Sequence, residues 1–105
     1  MNHAGDPDVL DLIRKGIADG MARLPENLRA WAVACVVEPR SIRAALDVEG
    51  HVWSEFLLVT DDAEASCNVV YDPKALTFGT IMQIKDGPLW YLGADSTFES
   101  AVINI

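Results

Sequence analysis

Basic side chains are scarce in this sequence. Eight Lys and Arg stand against 16 Asp and Glu, a net charge of −8. The shortage is also uneven. Residues 1–43 balance six acids against six bases, whereas residues 44–105 set ten acids against Lys74 and Lys85 alone. A chain charged in this way repels nucleic acid and anionic lipid and attracts a basic partner. Histidine is limited to His3 and His51, and cysteine to Cys35 and Cys67. Asp47-x-Glu49-x-His51 has an apt spacing for metal ligands, but these residues straddle one tight turn and compete for it sterically, so no metal is expected, and two cysteines make no disulfide framework. No apolar run reaches the roughly 18 residues of a membrane span. The opening Met1-Asn2-His3-Ala4-Gly5-Asp6 has neither the basic nor the apolar region of a secretory signal. With only two cysteines, a reducing cytoplasm is the expected compartment. Glycine-rich phosphate loops are missing too, and no cofactor is expected.

What is present is a pattern for one domain over residues 1–105, long enough to bury a single core. The stretch His51 to Thr60 reads as its central strand. Val52, Phe56 and Leu58 fall on one side of a period-two alternation, and Trp53, Leu57 and Val59 on the other. A strand apolar on both faces calls for cover on both.

That cover is sought first in the N-terminal part. Asp6-Pro7-Asp8 has the form of a helix start. Val9, Leu12, Ile13, Ile17, Met21 and Leu24 then recur at spacings of three and four and predict one apolar face. Gly16 and Gly20 weaken that helix but permit close approach of a neighbour. A second helix is predicted from Pro25 to Val37, burying Leu28, Trp31, Ala32, Cys35 and Val36, with Pro39 ending it. Its last residues, Ala34-Cys35-Val36-Val37, also suit a strand.

Strands follow. Ser41 to Val48 and the central strand are joined by a Glu49-Gly50 turn, which predicts an antiparallel hairpin. Ser66 to Tyr71, Leu76 to Lys85 and Leu89 to Leu92 read as further strands. Ser96-Thr97-Phe98-Glu99 has the form of a capping box, opening a short helix that buries Phe98, Ala101, Val102 and Ile105; an extended end is the alternative. The expected fold is α+β: two N-terminal helices packed on a mainly antiparallel sheet of four to five strands, with a short C-terminal helix.

The segment Asp86-Gly87-Pro88-Leu89-Trp90-Tyr91-Leu92-Gly93, followed by Ser96-Thr97-Phe98-Glu99-Ser100-Ala101-Val102, resembles the closing part of small bacterial α+β proteins. Several immunity proteins of bacterial toxin systems are among them. The resemblance is one of layout over about the last two-thirds of the chain, and it assigns no site residue.

Three functions remain in view. The first is a non-catalytic protein-binding module of immunity or antitoxin type. It would cover the cationic cleft of a basic partner with Glu49, Glu55, Asp61, Asp62, Glu64 and Asp72. The second is a small ligand-binding domain or enzyme with a cleft between sheet and helices, using His51, Glu55 and Tyr91. The third is a homo-oligomer, such as a homodimer joined through a strand edge or the first helix. Trp53, Trp90 and Tyr91 form an aromatic recognition surface if one sheet face is open, and otherwise core.

Overall fold

The helix signal at the start of the chain produces α1 (Pro7–Arg23) in the computed structural model, which describes residues 7–47, 49–83 and 88–105. Asp6, the expected cap, lies outside the described residues. Val9, Ile13, Gly20 and the following Leu24 are buried, with Ile17 and Met21 packed beside them. Leu12 does not join this face and is 46% exposed. The buried stripe advances in steps of four from Val9 to Ile13 to Ile17, and Leu12 sits about 100° round the helix from Ile13. The two glycines do serve close approach, but of rings. A Cβ on Gly16 would lie 2.5 Å from Phe78 Cε2, and one on Gly20 would lie 2.8 Å from Phe98 Cδ2.

The second helix, α2, is shorter than its periodicity suggests. It spans Glu26–Cys35, and strand β1 (Val36–Ala45) starts at the next residue. Val36 already has extended dihedrals, φ −64° and ψ 131°. Two β-branched valines favour that region, and the Val36–Thr60 strand pairing settles the choice that local pattern left open. Pro39 therefore ends no helix. It sits inside β1, within the register shift between Val36 and Arg40, where a missing N–H costs no ladder bond. Val48, expected at the strand's far end, lies outside the described residues, and Leu46 is exposed.

The remaining strands are β2 (Trp53–Thr60), β3 (Cys67–Asp72), β4 (Thr77–Gln83) and β5 (Leu89–Ser96). Leu76, expected in β4, lies in the preceding turn with φ 57°, and Ile84 and Lys85 lie outside the described residues. Consecutive strands pair antiparallel, and the meander closes into a barrel through one pair, Ala45 with Trp90. That closing pair is parallel. Five strands of alternating direction leave the first and last pointing the same way, so closure admits no other sense. β5 runs on past Leu92 because the pairing to β4 shifts register at two points, which absorbs Gly93 at φ 138° within the strand. Helix α3 (Phe98–Ile103) follows. Its cap is Thr97 rather than Ser96: Thr97 Oγ1 accepts from Ser100 N at 3.3 Å. Phe98, Ala101 and Val102 are buried, whereas Ile105 is 43% exposed.

The molecule is thus α+β with two apolar cores, one on each face of the barrel wall. Inside the barrel lie Ala44, Phe56, Leu58, Val70 and Ile81, with Ile42, Leu89 and Tyr91 against them. Outside, the helices cover Leu57, Val59, Val69, Tyr71 and Phe78. β2 supplies both faces, as its alternation requires. Its first residue, Trp53, and the preceding Val52 lie beyond the helical cover and are 38% and 52% exposed. Phe78 joins the outer core edge-on, its centroid 5.0 Å from Tyr71 and 5.7 Å from Phe98. The Cα radius of gyration is 12.9 Å, close to the roughly 13 Å expected for a packed chain of this length.

Candidate functional site

Because neighbouring strands are antiparallel, the β1–β2 and β3–β4 turns share one end of the meander. The β2–β3 loop lies at the other. Each end presents a distinct surface.

The β2–β3 loop is built from the fully buried Thr60 outward. Thr60 Oγ1 accepts from Val69 N at 2.8 Å and donates to Asn68 Oδ1 at 3.0 Å. Asn68 then clasps the backbone of Asp62 at both groups. Its Oδ1 accepts from Asp62 N at 2.8 Å, and its Nδ2 donates to Asp62 O at 3.3 Å. The two carboxylates of the loop are tied to different elements. Arg40 of β1 donates to Asp61 Oδ2 at 2.8 Å, and the Trp31 indole of α2 donates to Asp62 Oδ2 at 2.7 Å. The Trp31 N–H, with a second donation from Glu64 N, holds the Asp62 carboxyl below the usual carboxylate range. Burial pushes the Cys35 thiol up, and the Asp62 and Asp61 charges add to this, which disfavours a thiolate nucleophile there. Cys35 and Cys67 are half-buried free thiols.

Inside this loop the barrel mouth holds a recess of about 240 Å³. Ile42, Leu58, Ile81 and Leu89 line it below; Arg40, Asp61, Asp62, Asn68 and Gln83 line it above.

The opposite end is a hairpin turn with an apolar skin. Asp47 Oδ1 accepts from His51 N at 2.8 Å and from Val52 N at 3.0 Å, which closes the turn. The Val52 N–H, then that of His51, lower the Asp47 carboxyl from its ordinary value. Trp53 folds back to donate its indole N–H to Gly50 O at 2.6 Å, and the Arg43 guanidinium lies 5.9 Å from its ring centroid. Leu46 pairs with Val52 across the hairpin through a 2.8 Å backbone bond. Leu46, Val52, Trp53 and Leu92 are 44%, 52%, 38% and 48% exposed, and Trp90 beside Ala45 is half-buried. Of the three aromatics expected on an open face, Trp53 is exposed and Trp90 half-buried. Tyr91 is not part of it. It points into the barrel and stacks on Phe56 with centroids 4.4 Å apart. Burial raises its phenol, and Asp72 and Asp95 add to the effect.

The six acids named from sequence do not form one patch. Asp61, Asp62 and Glu64 sit on the β2–β3 loop. Glu49 lies in the β1–β2 turn and Glu55 on the outer wall, opposite Arg43. Asp72 closes the β3–β4 turn by accepting from Lys74 N at 2.9 Å. Nor are His51, Glu55 and Tyr91 brought together: His51 is exposed in the turn, and Glu55 and Tyr91 occupy opposite faces of the wall. Sequence reasoning missed Trp31, Arg40 and Asn68 as organisers. Only Asn68 left a trace, as a polar residue at an inward position of a strand.

Among the described residues, no group of three or more His, Cys, Asp or Glu could hold a metal ion, and no helix is long and apolar enough to cross a membrane. Comparison with protein-family models, with curated proteins and with solved structures gives no match.

Proposed function

We propose that the chain is a non-catalytic protein-binding module of bacterial immunity or antitoxin type. In this reading it works in the cytoplasm and occludes a basic partner. The supporting observation is the exposure of Leu46, Val52 and Trp53 at the β1–β2 hairpin and of Leu92 on β5, with Trp90 half-buried across Ala45 from Trp53; Asp47 and Glu49 lie in the same turn, and Glu55 faces Arg43 on the adjoining wall. An exposed apolar patch rimmed by charge is the usual form of a docking surface. Aromatic side chains at its centre supply affinity, and like-signed charge at the rim steers an oppositely charged partner. The partner surface that fits is apolar in the middle and lysine- or arginine-rich around it.

The test is capture from an extract of the native host, with parallel baits carrying Trp53→Ser or the pair Glu49→Lys and Glu55→Lys. A captured basic protein should lose about 2 kcal/mol of affinity, roughly 30-fold, with the first bait. With the second, association should slow and lose its salt dependence. Equal capture by all three baits would refute the docking face. Light scattering on the purified chain addresses a second copy: a dimer that Trp53→Ser dissociates would assign the face to self-association instead.

A further inference from the structure

We propose that Leu76, in the β3–β4 turn, is an apolar anchor for the same basic partner, a role that rests on the docking face at the β1–β2 hairpin and extends it to a second turn. The two turns share one end of the meander. The β3–β4 turn spans residues 73–76, between the paired Asp72 and Thr77. Its last position, Leu76, has φ 57°, and its N–H donates to Asp72 O at 2.8 Å to close the loop. Glycine and asparagine tolerate that left-handed region, whereas other side chains bring Cβ too close to a carbonyl oxygen. Burial does not repay this strain in full, because Leu76 is 48% exposed and lies outside both apolar cores. A single exposed leucine is ordinary on a protein surface. A leucine both exposed and held at positive φ is disfavoured twice by folding, and strained residues that persist collect at functional positions.

The turn that carries Leu76 is held from several sides. Asp72 Oδ1 accepts from Lys74 N at 2.9 Å and from Ala75 N at 3.3 Å, and Pro73 is buried. Lys74 Nζ donates to Ser54 Oγ and lies 5.9 Å from the Phe56 ring centroid. Ser54 follows Trp53 in β2, so that bond ties the second turn to the foot of the first hairpin. A side chain presented on a loop already fixed costs little ordering when a partner arrives. Charge defines that partner. Asp47, Glu49, Glu55 and Asp72 stand at this end against Arg43 and Lys74. The fitting surface is an apolar recess for the leucine, ringed by lysine and arginine. A second copy of this chain, itself at −8, would meet repulsion instead.

The probe is a phage-displayed library of random dodecapeptides, panned on the full chain; enriched peptides are then synthesised and titrated against the parent, Leu76→Asn and Trp53→Ser. The enriched peptides should be rich in lysine and arginine around an apolar residue. Leu76→Asn should weaken their binding at least about tenfold. The same substitution should raise the urea midpoint, because asparagine enters the left-handed region more readily than leucine. Failure to enrich any peptide, or peptides that bind Leu76→Asn as well as the parent, would overturn the proposal. So would a midpoint below the parent's, which would make the leucine a part of the fold. The two substitutions separate the two readings. Binding lost with Trp53→Ser alone would remove Leu76 and leave the hairpin face standing, whereas binding lost with Leu76→Asn alone would keep the anchor and remove that face.

Discussion

Replacing Gly16 by alanine sets helix propensity against packing, and the two predict opposite signs. In an exposed helix interior the change stabilises by about 1 kcal/mol. Here the new methyl would lie 2.5 Å from Phe78 Cε2 and 2.8 Å from Cζ. Ordinary contact requires a retreat of about 1 Å. Phe78 has little room for it, since its ring is held edge-on between Tyr71 at 5.0 Å and Phe98 at 5.7 Å. Overpacking of a filled core costs about 1–3 kcal/mol. The packing cost outweighs the propensity gain, leaving a net destabilisation of about 1 kcal/mol. The expected readouts are a lower urea midpoint at unchanged slope and a melting temperature about 4–8 °C lower. Combining Gly16→Ala with Phe78→Leu should cancel much of the packing cost, so the two changes should be strongly non-additive. A Gly16→Ala variant more stable than the parent would refute this account of why a glycine sits in α1.

Gly93→Ala tests the opposite mechanism. No atom lies within 4 Å of the added methyl, but φ is +138°, a region almost closed to other residues. The cost should be about 1–3 kcal/mol by urea unfolding, and Gly93→Val should be at least as damaging. Acid should weaken the fold through Asp62 and Asp47. Both carboxyls are held below their ordinary value, Asp62 chiefly by the Trp31 N–H and Asp47 chiefly by the Val52 N–H. A depressed folded value contributes stability above the unfolded value, and that contribution is lost as pH falls through the folded one. Urea midpoints measured down through the carboxylate range should therefore fall less steeply for Asp62→Asn and Asp47→Asn than for the parent. Identical slopes would show that these hydrogen bonds do not discriminate the folded from the unfolded chain.

Much of the fold was legible without coordinates. The steps of four from Val9 to Ile17, the alternation from Phe56 to Val59 and the turn at Glu49-Gly50 are local signals. Each is set by the geometry of a helix or strand over a few residues, so each survives reading one dimension at a time. The scarcity of lysine and arginine beyond residue 43 is likewise a property of the chain alone. The end of α2 at Cys35 was not legible, because Val36 and Val37 suit either state and the pairing with Thr60 chose between them. The same holds for Leu12, whose apolar character says nothing about which side of the stripe meets Phe78. The dispersal of the six acids over two ends and a wall is a consequence of register. So are the burial of Tyr91 away from Glu55 and the meeting of Trp31, Arg40 and Asn68 around one loop. The sequence by itself determined the order of helices before strands, the two-faced central strand and the acidic excess beyond residue 43. The tertiary structure alone decided barrel closure at Ala45 and Trp90 and the recess at its mouth, because both depend on which distant residues become neighbours, and no local periodicity carries that information.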